Sequence, residues 1–328
     1  MSPYHDISKD NLRSILQDFA KLRLLVVGDL ILDHYIWGAV DRISPEAPVP
    51  IVSVAKKESR LGGAGNVAAN LASLGTSATL AGICGNDSYR DTLLELCQQQ
   101  KILPLITAIE NRQTTVKSRI IAQHQQLVRI DEENCEPLPF SETVNILNEV
   151  RGKIAQFDGL IISDYRKGLL TEKFILELIR MFAGKPVVVD PKGYDYQKYH
   201  GATTIKPNRY EFAHAVRHPE LQDTEIEQYA KQLVKELELQ GIVITLGEKG
   251  VFILDNQQES LIIPTKAREV YDVSGAGDTF IAAFTAGLIL TGNWFTAAKV
   301  ANLAAGVVVG KLGTATVTID EIFGNYGL

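Results

Sequence analysis

Short unbroken runs of apolar residues recur along the chain, and each stops on a small or acidic residue. They are "RLLVVGD", ending at Gly28 and Asp29, "GLIISD" over 159–164, "PVVVD" over 186–190 and "GIVITLG" over 241–247. Continuous rather than alternating apolarity is the pattern of a strand buried on both faces, as in a parallel sheet. Between these runs, apolar positions fall at three- and four-residue spacing over 87–100, 142–154, 172–182 and 224–238. "ISKDNLRSILQDFAKL" near the N-terminus has the same spacing, with Ile15, Leu16 and Phe19 on one side. Strands alternating with helices predict an α/β fold, a central and mostly parallel sheet with helices on both faces. Ligands of such sheets bind beyond the carboxyl ends of the strands. Three of the four runs deliver an aspartate to that edge: Asp29, Asp164 and Asp190.

Two stretches break the pattern. "APVPIVSVAKKESR" (47–60) and "TTVKSRIIAQHQQLVRIDEE" (114–133) alternate apolar and polar residues. Alternation is the mark of antiparallel ribbon with one solvated or mating face. It predicts a small β-sheet lid, with strands inserted around 40–60 and 112–133, in one α/β domain that takes in residues 1–328. No internal repeat or long linker is present. "AAKVANLAAGVVVGKLG", a second Gly/Ala-rich helix near the C-terminus, suits close packing on a neighbour.

Composition narrows the function. Of 328 residues, 45% are hydrophobic and 22% charged, a globular balance, and the formal net charge is −6. An acidic chain argues against nucleic acid or an anionic membrane as the main partner, while a local basic pocket for a phosphorylated small molecule stays open. Cys84, Cys97 and Cys135 form no CxxC pair, which fits buried thiols in a reducing cytoplasm. The N-terminus lacks a signal-peptide core, and no apolar run reaches the ~18–20 residues of a membrane span. The expectation is a soluble cytoplasmic protein. His5, His34, His124, His200, His214 and His218 show no metal-ligand spacing and read as surface or satisfied core.

Four motifs carry candidate chemistry. "RLGGAGNVAANLASLG" (60–75) contains Gly63-Ala-Gly65-Asn-Val-Ala68, a match to the dinucleotide fingerprint GxGxxA. The strand before it is charged, whereas that fingerprint needs a buried one. The other readings are a glycine turn opening a helix, or backbone at Gly62 and Gly63 approaching a small ligand, with Asn66 adding a polar contact. In "KPNRYEF" (206–212), Asn208 and Glu211 share a helix face or form a helix-capping pair. "TLGEKGVF" (245–252) reads as a glycine-turned hairpin. "VYDVSGAGDTF" (270–280) sets Ser274 to Gly277 and Asp278 at the mouth of an apolar helix. The bland reading is a tight turn with an acid in the first helical turn. The sharper one is an anion site whose backbone donors, Gly275 to Gly277, face a transferring phosphate while Asp278 meets the attacking hydroxyl. Asp29 and Asp33 suit hydrogen bonds to sugar hydroxyls. "GVVVGKLG" lacks the spacing of a P-loop, so any ATP is used without Walker chemistry.

Taken in order and separation, "GGAGNVAANLASLG", "KPNRYEF", "TLGEKG" and "DVSGAGDTF" resemble the ribokinase (PfkB) family of sugar kinases over nearly the whole chain. Finer matches, "VVGDLILDHYIWG", "RISPEAPVP", "ISDYRKGLL", "VVVDPKG" and "VVGKLGTATV", resemble the heptose 7-phosphate kinases of that family. The resemblance implies a ribokinase-like fold and phosphorylation of D-glycero-β-D-manno-heptose 7-phosphate at C1 by ATP with Mg²⁺, en route to ADP-heptose and lipopolysaccharide core. Fructose 6-phosphate or tagatose 6-phosphate is the alternative substrate. It further implies Asp278 as catalytic base and Gly275, Ala276 and Gly277 as the anion hole. Asn208 and Glu211 would organise Mg²⁺, largely through water, and the phosphates. Thr245, Gly247 and Gly250 would lie along the nucleotide, with Asn302 near the adenine. Asp29, Asp33, Gly63 and Asn66 would hold the sugar. Lys117, Arg119 and Arg129 on the lid are candidates for the 7-phosphate, with Arg42 and Lys167 behind them. A homodimer through the lid is expected. Ser274 stands where many members have Thr, a change to the turn alone. No nucleotidyltransferase HxGH motif follows within the 328 residues, which leaves a stand-alone kinase and a piece of a bifunctional enzyme both open.

Overall fold

The computed structural model describes residues 7–123, 125–265 and 271–326. His5, His124 and Val270 of the sequence motifs lie outside the described residues. The helices are α1 (Lys9–Asp18), α2 (Ala64–Ser73), α3 (Tyr89–Gln99), α4 (Phe140–Lys153), α5 (Glu172–Met181), α6 (Arg209–Ala215), α7 (Ile226–Glu236), α8 (Ala276–Thr291), α9 (Trp294–Val308) and α10 (Ile319–Tyr326). The strands are β1 (Arg23–Gly28), β2 (Leu30–Ile43), β3 (Pro50–Gly63), β4 (Ser77–Gly85), β5 (Leu103–Ile109), β6 (Thr115–Ala122), β7 (Gln125–Glu132), β8 (Gly159–Ser163), β9 (Val187–Asp190), β10 (Thr204–Ile205), β11 (Ile242–Thr245), β12 (Val251–Leu254) and β13 (Ser260–Ile263).

The central sheet runs β10-β9-β8-β1-β4-β5, and every pair in it is parallel. β1, β8 and β9 are buried on both faces, which is why they read as unbroken apolar runs. Leu24 and Val26 of β1 pack with α1, α2, α8 and α9, while Leu25 and Val27 pack with α4, α5 and α7 on the other side. β4 and β5 were not among the runs picked out from the sequence. β4, "SATLAGICG", is interrupted by Gly and Ala, and β5 carries Pro104, tolerated because β5 is an edge strand. β11 corrects the expectation of a fourth buried parallel strand. It pairs antiparallel with β12, in a sheet β11-β12-β13, and an isolated parallel bridge joins its Thr245 to Asn208.

The lid is a four-stranded sheet, β3-β2-β6-β7. β2 with β3 and β6 with β7 are antiparallel, as the alternation implies, but β2 and β6 run parallel. The lid also begins ten residues earlier than expected, at Leu30, because the root of β2 is buried and does not alternate. Cys84 and Cys97 are buried as expected, whereas Cys135 is exposed. Among the described residues, no helix is long and apolar enough to cross a membrane.

Candidate active site

Register sets the stage. Gly28, Ser163 and Asp190 are paired neighbours across three strands, so Asp29, Asp164 and Asp190 gather at one carboxyl edge. α8 starts opposite that edge. Its N-cap, Gly275, has φ +79, and no side chain caps the helix. A Cβ there would sit 2.8 Å from Asn66 Nδ2. The glycine therefore permits both the left-handed turn and the close approach of α2. The first turn of a helix carries N–H groups with no intrahelical acceptor, at its positive end. A Cβ on Gly277 would lie 3.3 Å from Lys206 Nζ, which places a buried cation beside the same turn.

Asp278 is buried and doubly held. Asn66 Nδ2 donates to Oδ2 at 2.7 Å, and the Tyr165 hydroxyl donates to Oδ1 at 2.8 Å. One turn along the same seam, Thr279 Oγ1 donates to Asn70 Oδ1 at 2.8 Å. Burial first, and the nearby Asp190 carboxylate second, push the Asp278 carboxyl up to about 7, against the two donors and Lys206. A carboxylate in that range suits proton transfer near neutral pH. Lys206 pairs with Asp190 at 3.0 Å; burial lowers the ammonium, but Asp190 first, then Glu211 and Asp278, together raise it above its usual range.

A cavity of about 980 Å³ opens from Asp278 past the α8 turn. Gly275, Ala276, Gly277, Asn208, Glu211, Thr245, Gly247, Gly250 and Asn302 all line it, so the structure brings together the residues expected along a nucleotide. Asn208 and Glu211 form a complete capping box at the start of α6. Glu211 also accepts from Lys192 Nζ at 2.6 Å. The capping reading is thus correct as local structure, and the carboxylate still faces the cavity. Thr245 N donates to the Pro207 carbonyl at 3.0 Å, which stitches the glycine hairpin to this corner. Asn302 Nδ2 donates to the Pro264 carbonyl at 2.8 Å.

The sugar-side expectations fare differently. Asp33 is buried where β2 leaves the body, and accepts from Arg119 Nη1 at 2.5 Å and Thr314 Oγ1 at 3.2 Å. Asp29 is only 1% exposed, and its Oδ2 accepts the backbone N–H groups of Tyr165 (2.8 Å) and Lys167 (3.0 Å). It is a loop anchor, which corrects the expectation of direct sugar contact. Gly63 (φ +55) is likewise turned toward the protein: a Cβ would sit 2.6 Å from the Asp29 carbonyl. Lys117, Arg119 and Arg129 share one lid face, as expected, but each already has an acid. Lys117 pairs with Asp131 at 2.8 Å and Glu133 at 3.3 Å, and Arg129 pairs with Asp131 at 2.8 Å. Lys167 pairs with Glu133 at 2.8 Å, and Arg42 is exposed near the far end of β2.

Sequence reasoning missed Tyr165, Lys206, Lys192 and Arg60. Arg60 and Arg119 lie over the Tyr35 ring, 5.0 and 5.3 Å from its centroid, and Arg60 also donates to the Leu312 and Thr314 carbonyls. Tyr165 and Lys206 stood inside quoted motifs, one residue after an edge aspartate and two before Asn208, and those positions were the available signal.

A parallel α/β body, a β lid and a buried carboxylate beside a glycine-turned helix start define a phosphotransferase acting on a hydroxyl. The sequence pattern of the pfkB family of carbohydrate kinases matches residues 21–321, and the chain belongs to that family. Bifunctional protein HldE of Mesorhizobium japonicum is 42% identical over 327 residues, covering 99% of this chain and 66% of its own length. The protein of that name from Nitratiruptor sp. is 45% identical over 302 residues, covering 92% of this chain and 64% of its own. The chain thus spans just under two thirds of these relatives. Among solved structures, phosphofructokinase-2 from Escherichia coli in complex with substrates and products aligns with a TM-score of 0.76 at 19% identity, over 93% of this chain and 99% of that one. Arabidopsis thaliana ribokinase complexed with ribose and ATP aligns with a TM-score of 0.72 at 20% identity, over 92% and 98%. These likenesses establish the ribokinase-like fold.

Proposed function

We propose that this carbohydrate kinase transfers the γ-phosphoryl group of ATP to the C1 hydroxyl of D-glycero-β-D-manno-heptose 7-phosphate, giving the 1,7-bisphosphate. The observation that carries phosphoryl transfer is the placement of Asp278, buried beside Lys206 at the start of α8. The choice of heptose rests on "RISPEAPVP" and "SDYRKG", and on the likeness to the HldE proteins over nearly the whole chain.

The chemistry follows from the residues. The sugar hydroxyl oxygen bonds to the γ-phosphorus as the bond to the ADP oxygen breaks, and the hydroxyl proton passes to an oxygen of Asp278. N–H groups of Gly275–Gly277 and the Lys206 ammonium receive charge that develops on the phosphoryl oxygens. Thr245, Gly247, Gly250 and Asn302 shape the nucleotide cleft. Mg²⁺ fits the corner at Asn208 and Glu211. Both Glu211 oxygens already accept a hydrogen bond, which suits a carboxylate that holds metal-bound water, and Mg²⁺ keeps much of its water shell. When bound, the ion neutralises phosphate charge. Asp33 and Asn66 meet the sugar, and Lys117, Arg119 and Arg129 turn from their acid partners toward the 7-phosphate.

The outer lid face supports a homodimer. Val128 and Ile130 are 47% and 49% exposed on the face opposite Arg119. Light scattering is expected to report a dimer for the wild type and a monomer for Val128→Lys/Ile130→Lys.

The deciding experiment is ATP consumption across heptose and hexose phosphates. Heptose 7-phosphate is expected to give the highest kcat/KM. Equal or better turnover of fructose 6-phosphate overturns the choice of sugar, and NAD turnover without ATP use overturns the kinase reading.

A further inference from the structure

The loop that follows β8 is fixed far more firmly than a connection requires. Two buried aspartates, each just past the end of a different strand, hold three successive backbone donors of this loop. Asp29 Oδ2 takes the N–H of Tyr165 at 2.8 Å and of Lys167 at 3.0 Å, and Asp164 Oδ1 takes the N–H of Arg166 between them at 2.7 Å. Asp164 Oδ2 is itself pinned by Lys198 Nζ at 2.5 Å and the Tyr199 hydroxyl at 2.7 Å. Arg166 sits at φ +56, a backbone state that a non-glycine residue adopts at a cost and keeps only where its surroundings impose it. The outcome of this bracing is one placement: the Tyr165 hydroxyl lies 2.8 Å from Asp278 Oδ1.

We infer that Tyr165 is a positioning residue for Asp278, and that Asp29 serves the reaction through Tyr165 rather than by touching the sugar. The inference rests on the reading of Asp278 as base. With Asn66 on Oδ2 and Tyr165 on Oδ1, the plane of the carboxylate is fixed, so the remaining lone pairs point in set directions. Donors to a carboxylate also favour its charged form. That matters here because Asp278 is buried near the Asp190 charge, with Lys206 as the opposing cation, and the Asp33 charge acts on Tyr165 as well. Tyr165 itself is pushed well above the usual phenol range by burial and then by Asp278, so its proton stays in place as a donor. Asp29 Oδ1 is buried with no hydrogen-bond partner among the described residues, and burial followed by the Asp164 charge raises its carboxyl to about 6. Such a group is costly to keep, and holding the loop is the return that the structure shows.

The test is the pH profile of kcat/KM for the wild type, Tyr165→Phe, Asp29→Ala, the double variant and Asp278→Asn, each with its melting temperature. Tyr165→Phe is expected to move the acid limb up by about one pH unit. That shift lowers kcat/KM at pH 7 by about fivefold and lets it recover toward the wild-type plateau above pH 8. Asp29→Ala is expected to move the limb the same way, and the double variant no further than Tyr165→Phe alone. An unmoved limb in folded Tyr165→Phe overturns the inference, whether or not Asp29→Ala folds. So does an Asp29→Ala enzyme whose only defect is a raised sugar KM. Wild-type turnover by Asp278→Asn overturns the base reading instead. Collapse of that variant alongside an unmoved Tyr165→Phe limb overturns the present inference alone.

Discussion

Asn66 on α2 and Asp278 on α8 are 212 positions apart in sequence and 2.7 Å apart in space. Asn70 repeats the contact one turn along, to Thr279. The two helices are therefore keyed together at the buried carboxylate, by polar contacts inside an otherwise apolar seam.

Asp278→Asn is expected to lower kcat by ~10²–10⁴-fold with both KM values near wild type. It is also expected to stabilise the fold in a pH-dependent way. The folded carboxyl is raised to about 7 from an ordinary 3.8, so ionisation penalises the native state. The penalty is absent below the unfolded value, grows between the two, and is complete above about 7. The gain in melting temperature from Asn should thus be small at pH 4 and largest at pH 8. Equal gains at both would disprove the burial account.

Lys206→Met leaves Asp190 buried without its cation. Breaking one half of such a pair costs ~3–5 kcal/mol, measurable by urea unfolding. Adding Asp190→Asn should recover most of that stability. Turnover should remain depressed in both variants, since the cation beside Gly277 is missing in each.

Gly275→Ala places a side chain at φ +79 and pushes on the Asn66 amide. The backbone strain costs ~1–3 kcal/mol. The loss in kcat should exceed what instability explains, because Asn66 is displaced from Asp278. Retained kcat with a lowered melting temperature would show that Asn66 is not needed to hold the base.

Glu211→Gln keeps an oxygen for the helix cap but gives up the carboxylate charge. Activity should fall and be partly restored by added Mg²⁺. A purely thermal defect with an unchanged Mg²⁺ titration would reduce Glu211 to a capping residue.

The cavity that holds the proposed nucleotide side was legible in the sequence, because short motifs shape its lining. Glycines at 275 and 277, the capping pair 208 and 211, and the hairpin at 245–250 each shape the backbone locally, and their residue types announce that. The sugar side was not. Asp29 and Gly63 look like ligand residues by type, yet they face the protein, and only tertiary packing decides which way a buried acid points. Lys117, Arg119 and Arg129 gave the right face of the lid but not their acid partners, since cross-strand neighbours depend on a register that alternation alone leaves unset. Tyr165 escaped because a tyrosine after an edge aspartate carries no pattern of its own.

α8 is apolar around nearly its whole circumference, and residues 278–288 are all buried. A helix enclosed in this way has no free side on which to slide or roll without opening the core. Asp278, the proposed base, is consequently a fixed point of the molecule. Whatever movement a catalytic cycle demands must fall to the sheet above and the loops around it, so that the hydroxyl is carried to the base and never the base to the hydroxyl.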